Sequence, residues 1–223
     1  MITQLPRWVE YGAFLLALVA GCINAIGLLG VEHQAISHLS GTATLMGAAL
    51  ISDHPSAVLH LVGIVLSFLL GSTLCGFMLP GNALLLGRHY DTTLLIEALL
   101  LCGALLFLNQ DVYIGHYLAS AACGLQNALA TNYSGAIVRT THLTGIVTDL
   151  GLMLGARCRK EPLDRRKGML FVLIIGGFVL GAALGAWLFQ QVQFYAMLVP
   201  AALCLLLAAL YRYTRQRTTS PGL

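Results

Sequence analysis

The stretch that decides how this chain folds is Gly21-Cys22-Ile23-Asn24-Ala25, followed by Ser37-His38-Leu39-Ser40-Gly41. A second version occurs downstream as Gly124-Leu125-Gln126-Asn127-Ala128, followed by Thr141-His142-Leu143-Thr144-Gly145. Asn24 and Asn127 lie 103 positions apart, and His38 and His142 lie 104 positions apart, in a chain of 223 residues. A near-constant offset predicts an internal duplication. Duplicated polar residues in apolar surroundings are typical of membrane transport folds.

The composition indicates a membrane protein. The chain is 58% hydrophobic and 9% charged, with a mean hydropathy of +0.83, whereas soluble domains are about 25% charged. A fold of this size cannot bury so much apolar surface in water, so we expect a single membrane domain over residues 1–223. Five of the six cysteines lie in apolar runs and are predicted to act as small hydrophobic residues. The sixth, Cys158, lies among basic residues that we expect to face a reducing cytoplasm.

Apolar runs predict an all-α transmembrane helix bundle. Six runs are long enough to span the bilayer, at residues 11–29, 57–79, 92–108, 113–130, 169–189 and 194–211. We interpret the first as a retained span, because it is too long for the core of a signal peptide.

Two further apolar elements, at residues 38–51 and 142–155, are shorter. As helices they would reach about 21 Å, less than the hydrocarbon core of about 30 Å, which favours re-entrant or broken helices. The predicted repeats are residues 10–108 and 112–211, followed by a basic, disordered cytoplasmic tail at 212–223.

The basic residues discriminate between two topologies, because Lys and Arg favour the cytoplasmic side of short loops. If both short elements cross the membrane, the chain has eight spans, and Arg88 and Arg139 fall outside. If both return to the side they came from, six spans remain and every basic residue lies inside. Each half then has three full spans, so the two halves insert in opposite orientations. We prefer this inverted repeat, with both termini cytoplasmic.

Small residues recur at four-residue spacing in the third predicted element of each half. In the first half these are Gly63, Ser67, Gly71 and Cys75, and in the second half Gly177, Gly181 and Gly185. Such spacing lets helix backbones approach closely. The favoured interpretation is ordinary helix packing within the chain. The alternatives are a moving interface or a homo-oligomer formed through these faces.

The two motif copies resemble the bacterial YoaK-like membrane family, which carries the label domain of unknown function 1275. The Gly-Leu-Gln-Asn-Ala and Thr-His-Leu-Thr-Gly pair at 124–145 carries most of the resemblance, which covers nearly the whole chain. The resemblance implies a bacterial inner-membrane protein of six or seven spans. It implies no substrate.

The motif residues are the candidate substrate-binding residues: Asn24, Ser37, His38, Ser40, Asn127, Thr141, His142 and Thr144. An amide in an apolar run must be hydrogen-bonded, so each Asn either links helices or lines a substrate path. Ser37 and Thr141 suit helix N-caps. Each His is either a hydrogen-bonded packing residue or a proton or substrate site. A metal pair is less favoured, because no carboxylate or Cys shell accompanies the two His.

Two carboxylates within apolar elements are candidates for proton coupling. Asp149 lies seven residues after His142, about two helical turns, so both would share one face. Glu97 is either a proton carrier or a structural partner of His60 or His116. Charged residues inside a membrane tend to face the protein interior or a water-filled path.

Motifs of common enzyme classes are absent from the sequence: it contains no HExxH, GxSxG, P-loop or GxGxxG pattern. We therefore expect no enzyme activity, cofactor, metal or nucleic-acid partner. The expected function is a transporter or channel for a small polar solute, anionic or proton-coupled, with membrane lipid as its other partner. The alternative is a non-transporting membrane scaffold or accessory subunit.

Overall fold

The computed structural model describes residues 8–30, 36–52, 55–79, 89–134 and 138–219, and these residues form helices and turns without a β-strand. The helices are α1 Trp8–Leu29, α2 Leu39–Ile51, α3 Pro55–Met78, α4 Tyr90–Leu108, α5 Ile114–Tyr133, α6 Leu143–Cys158, α7 Arg165–Val192 and α8 Leu198–Thr219. A short 3-10 helix, Gln193–Met197, joins α7 to α8. The all-helical prediction is confirmed for this part of the chain.

The helices are those expected of a membrane-embedded protein. Among the described residues, four segments are long and apolar enough to cross a bilayer: Val9–Leu29, Pro55–Met78, Tyr90–Leu108 and Arg165–Gln216, the last of which contains α7 and most of α8. In lipid a segment must satisfy its own backbone hydrogen bonds, and helices do so. Large apolar side chains also point outward, as Phe77 does with 89% of its surface exposed. Helix α5 has 20 residues but is more polar, since it includes His116, Gln126 and Asn127.

Six of the helices alternate in direction, which follows from two apolar clusters that succeed each other along the bundle. The first cluster joins the early residues of α1, α4 and α7, such as Leu16, Leu94 and Leu170, to late residues of α3 and α5. The second cluster joins the late residues of α1 and α4 to early residues of α5 and α8. Helices α1, α4 and α7 therefore run one way, and α3, α5 and α8 run the other way.

Each short helix lies between two long helices, the first of which ends, and the second of which begins, at the same end of the bundle. Helix α1 ends beside the second cluster, and α3 begins at that same end, where His60 packs against Tyr113, just before α5, and against Tyr117 of α5. Helix α5 ends beside the first cluster, where α7 begins. Consequently α2 and α6 each connect two long helices at one end of the bundle.

Helices α1 and α7 pack closely, as do α3 and α5, and two glycine contacts correspond between the two pairs. A Cβ added at Gly21 would collide with the carbonyl oxygen of Phe178, and one at Gly124 with that of Phe68. The offsets between these pairs are 103 residues (Gly21 to Gly124) and 110 residues (Phe68 to Phe178).

The same offsets relate a second pair of contacts. Gly181 meets the carbonyl oxygen of Leu18, and Gly71 meets that of Ala121. The small-residue faces thus pack within the chain. A homo-oligomer through them would have to displace α1 or α5.

The prediction that residues 212–223 are disordered is wrong up to residue 219. Helix α8 continues to Thr219, and the described part of the chain ends there. The Thr214 hydroxyl donates to the Leu210 carbonyl, and the Tyr211 ring packs on Tyr90 with 4.9 Å between centroids. The charged residues extend an existing helix into water, and such an extension adds hydrogen bonds without a new nucleation step.

Candidate functional site

In the first half, Asn24 connects α1 to the residue that precedes α2. The Ser37 N–H donates to Asn24 Oδ1 at 2.8 Å, and Asn24 Nδ2 donates to Ser37 Oγ at 2.7 Å. Ser37 is buried, with 7% of its surface exposed. This pair of bonds, which we call the first clasp, satisfies polar groups that would be costly to leave unpaired in an apolar environment.

In the second half, Asn127 and Thr141 occupy the corresponding places. The Thr141 hydroxyl donates to Asn127 Oδ1 at 3.2 Å, and the Thr131 hydroxyl donates to the Asn127 carbonyl at 2.7 Å. We call the Asn127–Thr141 bond the second clasp. In both clasps, an Asn side chain on a long helix bonds to a residue that lies two positions before a short helix. The duplicated spacing of the motif therefore corresponds to a similar local structure in each half.

The expectation that Ser37 and Thr141 cap the short helices is wrong. Helices α2 and α6 begin one residue later than expected, so the N-cap residues are His38 and His142, and neither makes a side-chain capping bond. The hydroxyls of Ser37 and Thr141 bond to the Asn side chains instead.

The His-x-x-Gly spacing in each motif has a packing explanation. A Cβ at Gly41 would meet the ring of His38, and a Cβ at Gly145 would meet the ring of His142. Each imidazole therefore lies over the first turn of its own helix, where a glycine leaves room for it. This position keeps both rings beside the helix starts rather than within the bundle, and both His residues are exposed.

A cavity of about 320 Å³ brings residues of the two halves together. Its lining comes from α1, the start of α2, the start of α6 and the middle of α7: Asn24, Ala25, Leu28, Ser37, His38, Thr141, Leu143, Thr144, Phe178 and Ala182. Five of the eight candidate binding residues line it. Of the other three, Asn127 is bonded to the lining residue Thr141, and Ser40 and His142 are exposed on the first turns of their helices.

The cavity combines polar and apolar groups. One amide, one imidazole and three hydroxyls face apolar side chains, and its lining includes no carboxylate, Lys or Arg. Small-molecule sites are commonly built in this way, with few polar groups fixing orientation on an apolar wall. The starts of α2 and α6 both border the cavity, and a helix start carries unpaired N–H donors and a partial positive charge.

The two carboxylates lie outside the cavity. Asp149 is exposed on α6. Glu97 is fully buried in α4 beside the Cys204 thiol, which is a weak hydrogen-bond donor. The proposed pairing of Glu97 with His60 or His116 is not seen: His60 Nδ1 lies 3.2 Å from the Tyr117 hydroxyl. The described residues contain no cluster of His, Cys, Asp or Glu that could hold a metal.

Several relevant residues escaped the sequence analysis. Phe178 and Ala182 line the cavity, and they carry no polar signal. Gln126 donates to the Leu16 carbonyl at 2.9 Å and so ties α5 to α1. Its position directly before Asn127 in a motif was a usable signal. The sequence signal for Phe178 was its alignment with Phe68, which occupies the corresponding position in α3 of the first half.

Comparison with known proteins gives a family. A model of the family described as protein of unknown function (DUF1275) matches residues 12–210. No curated protein and no solved structure matches the chain. The family's description names no activity, so a function must be argued from the site.

Proposed function

The chain belongs to the family described as protein of unknown function DUF1275, and we propose that it is a transporter or channel for a small polar solute. One observation carries the proposal: the cavity joins Asn24, Ser37 and His38 of one motif copy to Thr141 and Thr144 of the other. If the duplicated polar residues served packing alone, hydrogen bonds to adjacent residues would suffice, and the two motif copies would not need to line one cavity.

The proposed topology is an inverted repeat of six spans with two re-entrant helices. Three observations support it: the alternating direction of the long helices, the return of α2 and α6 to one end each, and the glycine contacts that match at offsets of 103 and 110. In this arrangement α2 and α6 approach the cavity from opposite ends of the bundle. Non-helical backbone at membrane depth is tolerated where it borders protein or a wet cavity.

The proposed orientation places the first-cluster end in the cytoplasm of a bacterial inner membrane. The described basic residues lie in the segments at that end: Arg139, Arg157, Arg159, Lys160, Arg165, Arg166, Lys167, Arg212 and Arg215. The turn between α4 and α5 at the opposite end contains Asp111 and no basic residue. Short cytoplasmic loops are enriched in Lys and Arg, and such a surface also attracts anionic lipid.

The cavity suits a solute with an electron-rich oxygen, such as a carboxylate, a carbonyl or a hydroxyl. Two helix starts, the second amide N–H of Asn24 and the hydroxyl proton of Ser37 favour such a group, whereas the Thr141 hydroxyl proton is donated to Asn127. For proton coupling, Glu97 is the stronger candidate because it is enclosed, whereas Asp149 lies on an exposed helix face. An intramembrane carboxylate of this kind commonly marks a proton or ion path.

A non-transporting scaffold is the second candidate. It is favoured by the first clasp, in which both Asn24 polar atoms are already bonded to Ser37. In that case the cavity would be a packing defect that binds no solute.

The test compares two alanines that are neighbours on α7. Ala182 lines the cavity, while Ala183 is exposed on the outer face of the same helix. Purified wild type, Ala182→Leu and Ala183→Leu would be screened in detergent for thermal stabilisation by small carboxylates, amides and polyols. We expect at least one class to stabilise wild type and Ala183→Leu but not Ala182→Leu. Equal stabilisation of all three proteins, or of none, would support the scaffold.

A further inference from the structure

The cavity uses only one of two matching helix pairs. Its long-helix lining comes from α1 (Asn24, Ala25 and Leu28) and from α7 (Phe178 and Ala182). The positions 103 residues after the α1 residues lie in α5, and the positions 110 residues before the α7 residues lie in α3. These counterparts are Asn127, Ala128, Thr131, Phe68 and Ser72. The counterpart residues do not border the cavity.

At the counterpart place, α3 and α5 are bonded together. The Ser72 hydroxyl donates to the Gly124 carbonyl at 3.0 Å, and Phe68 packs against the second apolar cluster. In α7 the matching residue is Ala182, which has no hydroxyl and borders the cavity. The two helix pairs approach equally closely at Gly21 and Gly124, so they differ in the Ser72 bond and in which pair borders the cavity.

The two clasps also differ in the number and length of their hydrogen bonds. The first clasp has two bonds, of 2.7 and 2.8 Å, while the second has one of 3.2 Å. Thr141 offers the same backbone N–H and hydroxyl as Ser37, so the second clasp has the groups needed for the two-bond arrangement. The segment that joins the two clasp residues is one residue longer in the second half, with a separation of 14 positions against 13.

From these differences we propose a second conformation in which the halves exchange roles. There, Asn127, Ala128, Thr131, Phe68 and Ser72 line a cavity that opens at the opposite end of the bundle, the second clasp gains its second bond, and the first clasp loses one. The inference rests on the proposed transport function, and it assigns the α3–α5 residues a solute-contacting role. Two arrangements of one repeat around a fixed site would give access from alternate sides.

The test uses a matched pair of cysteine variants. Ala182→Cys and Ser72→Cys would be made in the full chain with exposed Cys158 replaced by Ser. Each would be labelled by an impermeant maleimide in intact cells and in inside-out vesicles. We expect the two positions to react from opposite faces of the membrane. Reaction of both from the same face, or no reaction at Ser72→Cys from either face, overturns the proposal.

Asn24→Ala and Asn127→Ala then test the exchange. Asn24→Ala removes two bonds here and one in the second conformation, so it should raise labelling at Ser72→Cys and lower it at Ala182→Cys. Asn127→Ala should do the reverse. Each shift should be about fivefold, the equilibrium effect of one hydrogen bond. Shifts in the same direction would overturn the proposal, and the cysteine pair alone decides if an Asn variant does not fold.

The labelling needs no solute, so it separates this inference from the proposed function. Solute binding without alternate labelling would leave the transporter in place and refute the second conformation. Labelling of the two positions from opposite faces, with no effect of any solute, would support the second conformation and refute the transporter.

Discussion

The long helices and the short helices of this protein differ in what they bury. Among described residues, α4 buries nine, including Leu94, Glu97 and Leu101, whereas α2 buries Thr42 alone and α6 buries Ile146 alone. The motif residues nevertheless gather at the starts of the short helices. The long helices supply most of the packing and half of the cavity lining, and the starts of the weakly packed helices supply the rest. Functional segments are commonly drawn from the less stable parts of a fold.

The largest loss of stability is expected from a substitution that forces two long helices apart. Gly181 touches the Leu18 carbonyl, so Gly181→Val forces α7 away from α1. We expect a loss of at least about 3 kcal/mol and little folded protein, because backbone cannot move aside as a side chain can. Thermal unfolding in detergent measures it.

The matched control is Gly151→Val on α6, where an added Cβ meets nothing within 4 Å. It should change stability by less than about 1 kcal/mol, since the site is open and Val favours a helix slightly more than Gly does. Equal losses at both glycines would mean that α6 is packed as tightly as α7, and the contrast would fail.

An intermediate effect is expected where a long helix holds a short one. Asn24→Ala removes two hydrogen bonds, and Asn127→Ala removes one side-chain bond. We expect losses of about 2 and about 1 kcal/mol, respectively. Chemical unfolding with the exposed Asn109→Ala as control checks the order. A larger loss for Asn127→Ala would show that the second clasp is the tighter one.

The smallest effects on stability are expected at the two carboxylates. The neighbour of Glu97 named above is the Cys204 thiol, a weak hydrogen-bond donor, and Asp149 is exposed. Glu97→Gln and Asp149→Asn should therefore each change stability by less than about 1 kcal/mol.

Their effects on function should differ. Glu97→Gln should abolish proton-coupled uptake by reconstituted vesicles, because Gln cannot carry a proton, while Asp149→Asn should leave uptake unchanged. Loss of uptake in Asp149→Asn alone would assign the proton to α6 and return Glu97 to a structural role.

The sequence predicted most of the helices because each apolar run is bounded by polar residues. It placed α1 at residues 11–29 and α4 at 92–108, close to Trp8–Leu29 and Tyr90–Leu108. It missed the start of α7, where Asp164 caps the helix by accepting from the Lys167 N–H, because a basic loop was expected there. Charge sets topology but does not prevent a helix from extending into water.

The site was harder to predict than the fold. Duplicated spacing identified Asn24 and Thr141, but the clasps depend on side-chain geometry that the spacing does not encode. The apolar part of the cavity, Phe178 and Ala182, comes from the middle of a long helix, where every neighbour is also apolar. Asp53, which the six-span model places on the face opposite the basic residues, lies outside the described residues.

The central claim is that α2 and α6 return to the face from which they start. The most direct measurement is impermeant thiol labelling of intact cells carrying single cysteines at Ser52, Asn109, Arg139 or Arg159, all exposed positions, in a background without Cys158. We predict labelling at Ser52→Cys and Asn109→Cys, and protection of Arg139→Cys and Arg159→Cys until the cells are permeabilised. Labelling of Arg139→Cys in intact cells with protection of Ser52→Cys would mean that both short helices cross the membrane, which would contradict the account.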